Sequence, residues 1–464
     1  MAGEAAADGV RAPLSGRCSY FVVKKRRYCR MVTARGHRLC GEHRTESENQ
    51  GKRIRCPLDP KHTVDEDKLE KHLKKCNSRE KPKPVYYRHN VNGGPEDAEE
   101  NSKQQVPLCD LSKEEIEIMI TKLRKATSEY LLLSAGLNST ITDRTLTHTA
   151  LREALDDPKN GDSASKHLKQ QASLVGNLER LGLLGSNRCF VEFGAGRGKL
   201  SHWVARALQG VPNVHFLLVE RASTRFKVDG KHQNQGSMFG RLQIDIQHLS
   251  LDKVPLLTSE TLPVVGIGKH LCGAATDLSL RCLVERYRVK EDNDTEPATK
   301  RLKADPTETQ QQQRDPDKEV NSSPTLGIAV ALCCHHKCEW KHYVGKEFFS
   351  SQGLDREDFQ IFQRMSSWAT CEKSCSLSRA ASAEPPQEHG WGESSQCAAE
   401  VLEMLTVRER ESLGLLCKRL IDHGRIEYLQ QRGFMATLQY YTSPCISPEN
   451  VLLTAVPPQS KENF

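Results

Sequence analysis

Apolar residues are sparse before residue 110 and fall into ordered groups after 188. From Arg188 onward, short apolar runs alternate with stretches in which apolar residues recur every three or four positions. The runs predict strands over 189–193, 214–220, 242–246, 263–268 and 326–332, and the stretches between predict helices over 199–208, 274–287 and 409–423. A last pair of runs, 434–441 and 451–456, closes the chain as an antiparallel edge. Strand and helix in alternation predict an α/β, Rossmann-like domain over 188–458, with a doubly wound, mostly parallel sheet of seven strands.

Upstream, Ser112 and Glu115 make a capping box for a helix whose apolar positions Ile116, Ile120 and Leu123 share one face. A further helix is expected over 166–184, so 109–187 reads as a helical lead-in. Residues 291–324 (Asp, Glu, Gln, Lys, Pro) and 373–397 (Ser, Ala, Glu, Gly) interrupt the α/β domain and bury too little to order themselves. Residues 1–15 read as disordered. Residues 81–108, with Lys-Pro-Lys-Pro and Asn92-Gly93-Gly94-Pro95, read as a linker.

The first strand runs into Glu192-Phe-Gly194-Ala-Gly196-Arg-Gly198, and a helix follows at once. Glycines are needed where a chain turns sharply and a ligand lies against the backbone. The spacing is G-x-G-x-G, not the G-x-G-x-x-G of a pyrophosphate-binding loop. An acid at Glu192 would repel a pyrophosphate but suits the cationic amino-acid end of S-adenosylmethionine. Glu220 ends the second strand, where it can accept from ribose hydroxyls, and Asp245 follows the third, where it can accept from an adenine amino group. A ligand-free glycine turn is the plainer reading, but it leaves three acids at three consecutive strand ends unexplained.

Five of the 17 cysteines precede residue 80. Cys56, His62, His72 and Cys76 supply a tetrahedral zinc set, the last two on one face of a helix expected over 65–75. A segment this short has no other means of building a core. Cys18, Cys29, Cys40 and His43 offer a second set at longer spacings, with free thiols as its alternative. The two sets define small zinc fingers over 16–46 and 53–80.

Residues 1–90 hold 22 Lys and Arg against 11 Asp and Glu, a net +11, while the rest of the chain is net −4. Such a basic segment suits a phosphate backbone, or else is an ordinary solvated surface. The run Lys24-Lys25-Arg26-Arg27 lies between finger ligands, where it faces phosphate or serves as an import signal. No stretch of eighteen apolar residues occurs, and the first residues, with Glu4 and Asp8, lack a signal peptide's pattern. Cytoplasm or nucleus is the expected location, and no protein partner is inferable.

Beyond the fourth strand, Lys269-His270-Leu-Cys272-Gly sits where open α/β sheets gather reacting groups. The fifth strand ends in Cys333-Cys334-His335-His336-Lys-Cys338. Neighbouring side chains of an extended chain point in opposite directions, so one metal site here needs a partner such as Cys272. A third zinc, substrate-facing histidines and a plain buried cluster are the open alternatives. Lys269 or His270, then His335 or His336, are the candidates for the group nearest the acceptor. Arg425 and Lys166 could clamp phosphate or simply be solvated.

These motifs together resemble the eukaryotic tRNA 2′-O-methyltransferases that modify nucleotide 4 of the acceptor stem. The resemblance runs through Cys18–His43, Cys56–Cys76, the Glu192–Lys199 loop, Lys269–Gly273 and Cys333–Cys338 to Leu413-Gly414, Lys418-Arg419 and Asp422-His423-Gly424-Arg425. It implies a class I methyltransferase fold and transfer from S-adenosylmethionine to the 2′-hydroxyl of cytidine or adenosine in tRNAs for glycine, proline or histidine. The rivals are a non-catalytic zinc-finger RNA-binding protein with a methyltransferase scaffold, and a methyltransferase for protein or small molecules. The second has no evident use for two fingers and a basic arm.

Overall fold

A computed structural model describes residues 13, 15–23, 27–33, 36–41, 43, 53–76, 78–79, 82–95, 108, 111–134, 141–222, 238–285, 324–370 and 405–458. The chain divides into two compact units, Met1–Pro84 and Val85–Phe464. The stretches expected to be disordered, 1–15, 291–324 and 373–397, lie outside the described residues apart from 13, 15 and 324, as do Lys24, Lys25 and Arg26.

The first unit pairs β1 (Phe21–Val22) with β2 (Arg27–Tyr28), and β3 (Arg53–Cys56) with β4 (Asp59–Asp65), both antiparallel. The helix expected over 65–75 is a 3-10 turn, Glu66–Lys68, followed by α1 (Leu69–Leu73). Among the described residues of this unit the buried apolar side chains are Cys18, Cys40, Cys56, Val64 and Cys76. Among the described residues, four thiols and one valine make no hydrophobic core.

The second unit contains, in chain order, α2 (Lys113–Ser134), β5 (Thr142–Asp143), α3 (Arg152–Leu155), α4 (Asp162–Arg180), β6 (Arg188–Phe193), α5 (Lys199–Ala207), β7 (Val214–Val219), β8 (Met238–Leu242) and α6 (Pro255–Glu260). There follow β9 (Val264–Cys272), α7 (Ala274–Val284), β10 (Thr325–Cys333), α8 (Lys346–Ser351), α9 (Arg356–Met365), α10 (Val407–Gln430), β11 (Met435–Tyr440) and β12 (Val451–Val456). One sheet has the order β5-β11-β12-β10-β9-β6-β7-β8. Strands β6 to β10 pair in parallel, and β12 runs antiparallel to both β10 and β11. The chain order reverses at β6, which places a topological switch point at its carboxyl end.

Side chains alternate across the sheet. Cys189, Val191 and Phe193 of β6 join a cluster with Leu280, Leu283 and Leu429 of α7 and α10. Phe190 joins the opposite cluster, with Val175 and Leu178 of α4 and Leu200 and Val204 of α5. Helices on both faces explain why the central strands read as continuous apolar runs.

Four details differ from the pattern in the sequence. The antiparallel strand β12 is interior rather than an edge, as its buried Leu452, Leu453 and Ala455 require. The rim is β5, an eighth strand of two residues parallel to β11, supplied by the stretch read as helical. The third strand is Met238–Leu242, upstream of 242–246. Leu242, Ile244 and Ile246 alternate like a strand, but the Asp245 side chain accepts from Gln247 N–H (3.1 Å) and turns the backbone. Finally, part of the 81–108 stretch is not a free tether. Ser250 and Arg88 N–H donate to Tyr86 and His248 carbonyls, and buried Asn92 donates to Ile246 and Leu249 carbonyls at 2.6 and 2.8 Å.

Candidate active site and metal centres

The glycine loop leaves β6 at the switch point. Gly194, Gly196 and Gly198 all have left-handed φ, at 60°, 50° and 72°. A side chain at Gly194 would press on Leu271 (3.0 Å), whereas the space beside Gly196 is open. Glu220 folds its carboxylate onto the loop: Gly196 N–H donates to one oxygen and Ala222 N–H to the other, both at 2.9 Å. Arg241 donates to the Gly196 carbonyl (3.0 Å). Asp245 lies three residues beyond the end of β8, with Arg221 3.3 Å away. Glu220 and Asp245, the open space at Gly196 and the left-handed loop fit an adenosine-bearing cofactor.

Glu192 is buried, and its Oε2 accepts from the backbone N–H (2.9 Å) and the hydroxyl of Ser201 in the first turn of α5. Burial raises its carboxyl to about 7, against the Ser201 bonds and the pull of Arg241 and Lys269. This acid therefore ties strand to helix, and a cation arriving beside it would favour its ionised form.

Lys269-His-Leu-Cys272, expected in a loop, continues β9. Lys269 pairs with Ala331 and Leu271 with Leu332, so His270 is the extra residue of a β-bulge, with φ 60°. Bulges re-aim side chains at the ends of strands. Lys269 Nζ lies 3.1 Å from His167 Nδ1 on α4. Burial, then Lys199, bring the Lys269 ammonium down to about 8, despite Glu192 and Cys333. His270 Nε2 lies 2.9 Å from Gln170 Oε1, and burial with Lys269 pushes its ring down to about 4. The ring is thus neutral at neutral pH, and its Nδ1 is buried without a hydrogen-bond partner.

The other candidates separate. His335 is buried, with Nε2 2.8 Å from Asp422 Oδ1. His336 is exposed, and burial of part of its ring lowers its pKa. Arg425 is fully buried, clamped by Asp277 (3.1 and 2.6 Å) and Asp422 (2.8 Å), so it is not a phosphate clamp. Lys166 is exposed on α4. His167, Gln170, Ser201 and Arg241 were missed by sequence reasoning. His167 and Gln170 stand three apart on one helical face, but nothing local says that this face meets the end of β9.

In the first unit, ligand atoms of Cys56, His62, His72 and Cys76 all lie within 4.8 Å of one another. Cys56 and Cys76 sulfurs are 3.8 Å apart, His62 and His72 Nε2 atoms 3.1 Å, and the Cys56–His72 and Cys76–His62 edges 3.1 and 3.7 Å. A zinc tetrahedron with ordinary bond lengths has edges of about 3.8 Å between sulfurs and about 3.4 Å between nitrogens. The cage is of zinc size. Cys18, Cys29, Cys40 and His43 converge likewise, with His43 Nδ1 3.4 and 3.3 Å from Cys18 and Cys40 and its ring stacked on Tyr20.

A Rossmann-like sheet with one inserted antiparallel strand, a glycine loop at its switch point and acids at the following strand ends define a methyltransferase domain, preceded by zinc-finger modules. The chain belongs to the family described as Methyltransferase TRM13, which matches residues 169–456. The CCCH zinc finger in TRM13 protein matches 16–44, and the U11-48K-like CHHC zinc finger matches 53–77. The tRNA:m(4)X modification enzyme TRM13 homolog of Mus musculus is 55% identical, covering 99% of this chain and 98% of its own. The homolog of Homo sapiens is 55% identical (97% and 96%), and the Saccharomyces cerevisiae tRNA:m(4)X modification enzyme TRM13 is 28% identical (94% and 95%).

Proposed function

We propose that this chain transfers a methyl group from S-adenosylmethionine to the ribose 2′-hydroxyl of nucleotide 4 in a tRNA acceptor stem. The acceptors proposed are cytidine or adenosine in tRNAs such as those for glycine, proline and histidine. The carrying observation is Glu220 folded onto Gly196 N–H at the switch point, one strand away from Lys269. The tRNA:m(4)X modification named for its relatives supports tRNA as the acceptor and position 4 as the site.

Glu220 has lone pairs left for two ribose hydroxyls, and Asp245 has an acceptor for the adenine amine. The cofactor, when bound, supplies an electrophilic methyl on sulfonium. Lys269 is the residue suited to take the hydroxyl proton, because an ammonium near 8 yields an appreciable fraction of free amine at neutral pH. With the ribose hydroxyl beside it, Lys269 Nζ would hold the proton that this oxygen gives up on methylation. His270 is the less suited of the two, since its Nδ1 is buried and its Nε2 faces Gln170. The fingers, with the basic 1–90 segment, hold the acceptor stem by its phosphates.

Incubation with labelled S-adenosylmethionine and total tRNA tests this reading. The expected product is a 2′-O-methylated nucleotide at position 4. Label elsewhere in tRNA would move the acceptor, and label only in protein would overturn the proposal.

A further inference from the structure

Cys272, Cys333 and Cys334 take no part in the mechanism above, yet the fold works to bring them together. Their sulfurs all lie within 4.8 Å of one another, at 3.7 Å for Cys272–Cys333 and 3.1 Å for Cys333–Cys334. All three are half-buried and none is in a disulfide. Neighbours on an extended chain would point apart, but Cys334 sits at φ 49°, ψ 55°, and that left-handed turn swings its thiol to the side of Cys333. Across the gap, the bulge at His270 (φ 60°) precedes Cys272. Gly273 then allows the 337 loop to close, since a side chain there would meet the Lys337 carbonyl at 2.0 Å. Two non-glycine residues in the left-handed region are unfavourable and persist where surrounding structure imposes them.

We propose that these three thiols are a third metal site, holding one thiophilic cation, zinc(II) or copper(I), at the carboxyl ends of β9 and β10. Thiolates select soft and borderline ions and reject magnesium and calcium. Three sulfurs satisfy trigonal copper(I); for zinc, partial exposure leaves room for water as a fourth ligand. A bound ion would staple the ends of the two strands and so fix the bulge at His270, directly beside Lys269 in the chain.

The test is metal stoichiometry of the full chain, stripped with chelator and retitrated with zinc or, anaerobically, with copper(I). C272S and C334S are each expected to bind one equivalent fewer than wild type, while the finger variant C56S loses a different one. The stronger of the two titrations names the ion. Equal counts in wild type and C272S would overturn the site. A second measurement on wild type alone guards against misfolded variants. Alkylation of the peptides containing Cys272 and Cys333–Cys334 should slow at least tenfold when metal is restored; unchanged labelling, or a disulfide among the three under reducing conditions, would also overturn it.

Discussion

Lys269 is a base only while unprotonated, and its surroundings determine how often that is so. Burial and the neighbouring Lys199 lower its ammonium from 10.5 to about 8. For a depressed lysine the free amine is lost as pH falls, so single-turnover methyl transfer should drop about tenfold per pH unit below 8 and level off above it. A bound sulfonium would move that bend lower still. Lys269→Arg keeps a cation for phosphate but cannot supply a free amine. It should slow the chemical step by roughly 10²-fold or more while leaving tRNA affinity near wild type. A K269R enzyme with the wild-type rate and the same pH profile would transfer the role elsewhere.

At the scale of elements, α10 shows how much rests on ion pairs and close approach. Its Arg425 satisfies Asp277 of α7 and Asp422 of its own helix while all three are buried. Removing one member of such a group strands the others in low dielectric. Arg425→Leu should therefore cost about 3–5 kcal/mol in urea unfolding. A stable variant with weakened tRNA binding would instead revive a phosphate role. The sequence made the alternating core of the sheet legible, because β6, β7 and β10 are apolar runs buried on both faces. It also made the glycine loop and both ligand sets legible, since those depend on local spacing. What it hid were long-range choices. Leu242-Gln-Ile244-Asp-Ile246 has strand periodicity, yet a side-chain bond at Asp245 ends the strand early. Lys269 to Cys272 contains a bulge that only pairing with β10 reveals. Arg425 looked solvated because its two acids are recognisable as partners only after the helices pack. Cys333 and Cys334 looked divergent because a left-handed non-glycine residue leaves no mark in the sequence.

For the whole molecule, the two units differ in the source of their stability. The second has two apolar clusters astride a sheet. The first, among its described residues, buries four thiols and a valine and should be unfolded without metal. Their folding should therefore separate. Changing one ligand in each finger, Cys40→Ser with Cys56→Ser, should abolish zinc binding by the first unit and leave the melting transition and cofactor affinity of the second unchanged. Binding of tRNA should respond differently, because residues 1–90 carry a net +11 while the remainder is net −4. Each phosphate that the protein no longer neutralises lowers the slope of log affinity against log salt by about 0.9, the duplex value. The double variant should thus bind tRNA roughly tenfold or more weakly at low salt and show a visibly flatter salt dependence. Its rate at saturating tRNA should stay near wild type, since the proposed base and cofactor loop lie in the other unit. Unchanged affinity and slope would mean that the fingers do not hold the RNA, whereas a lost rate at saturation would mean that they help to position the reacting ribose.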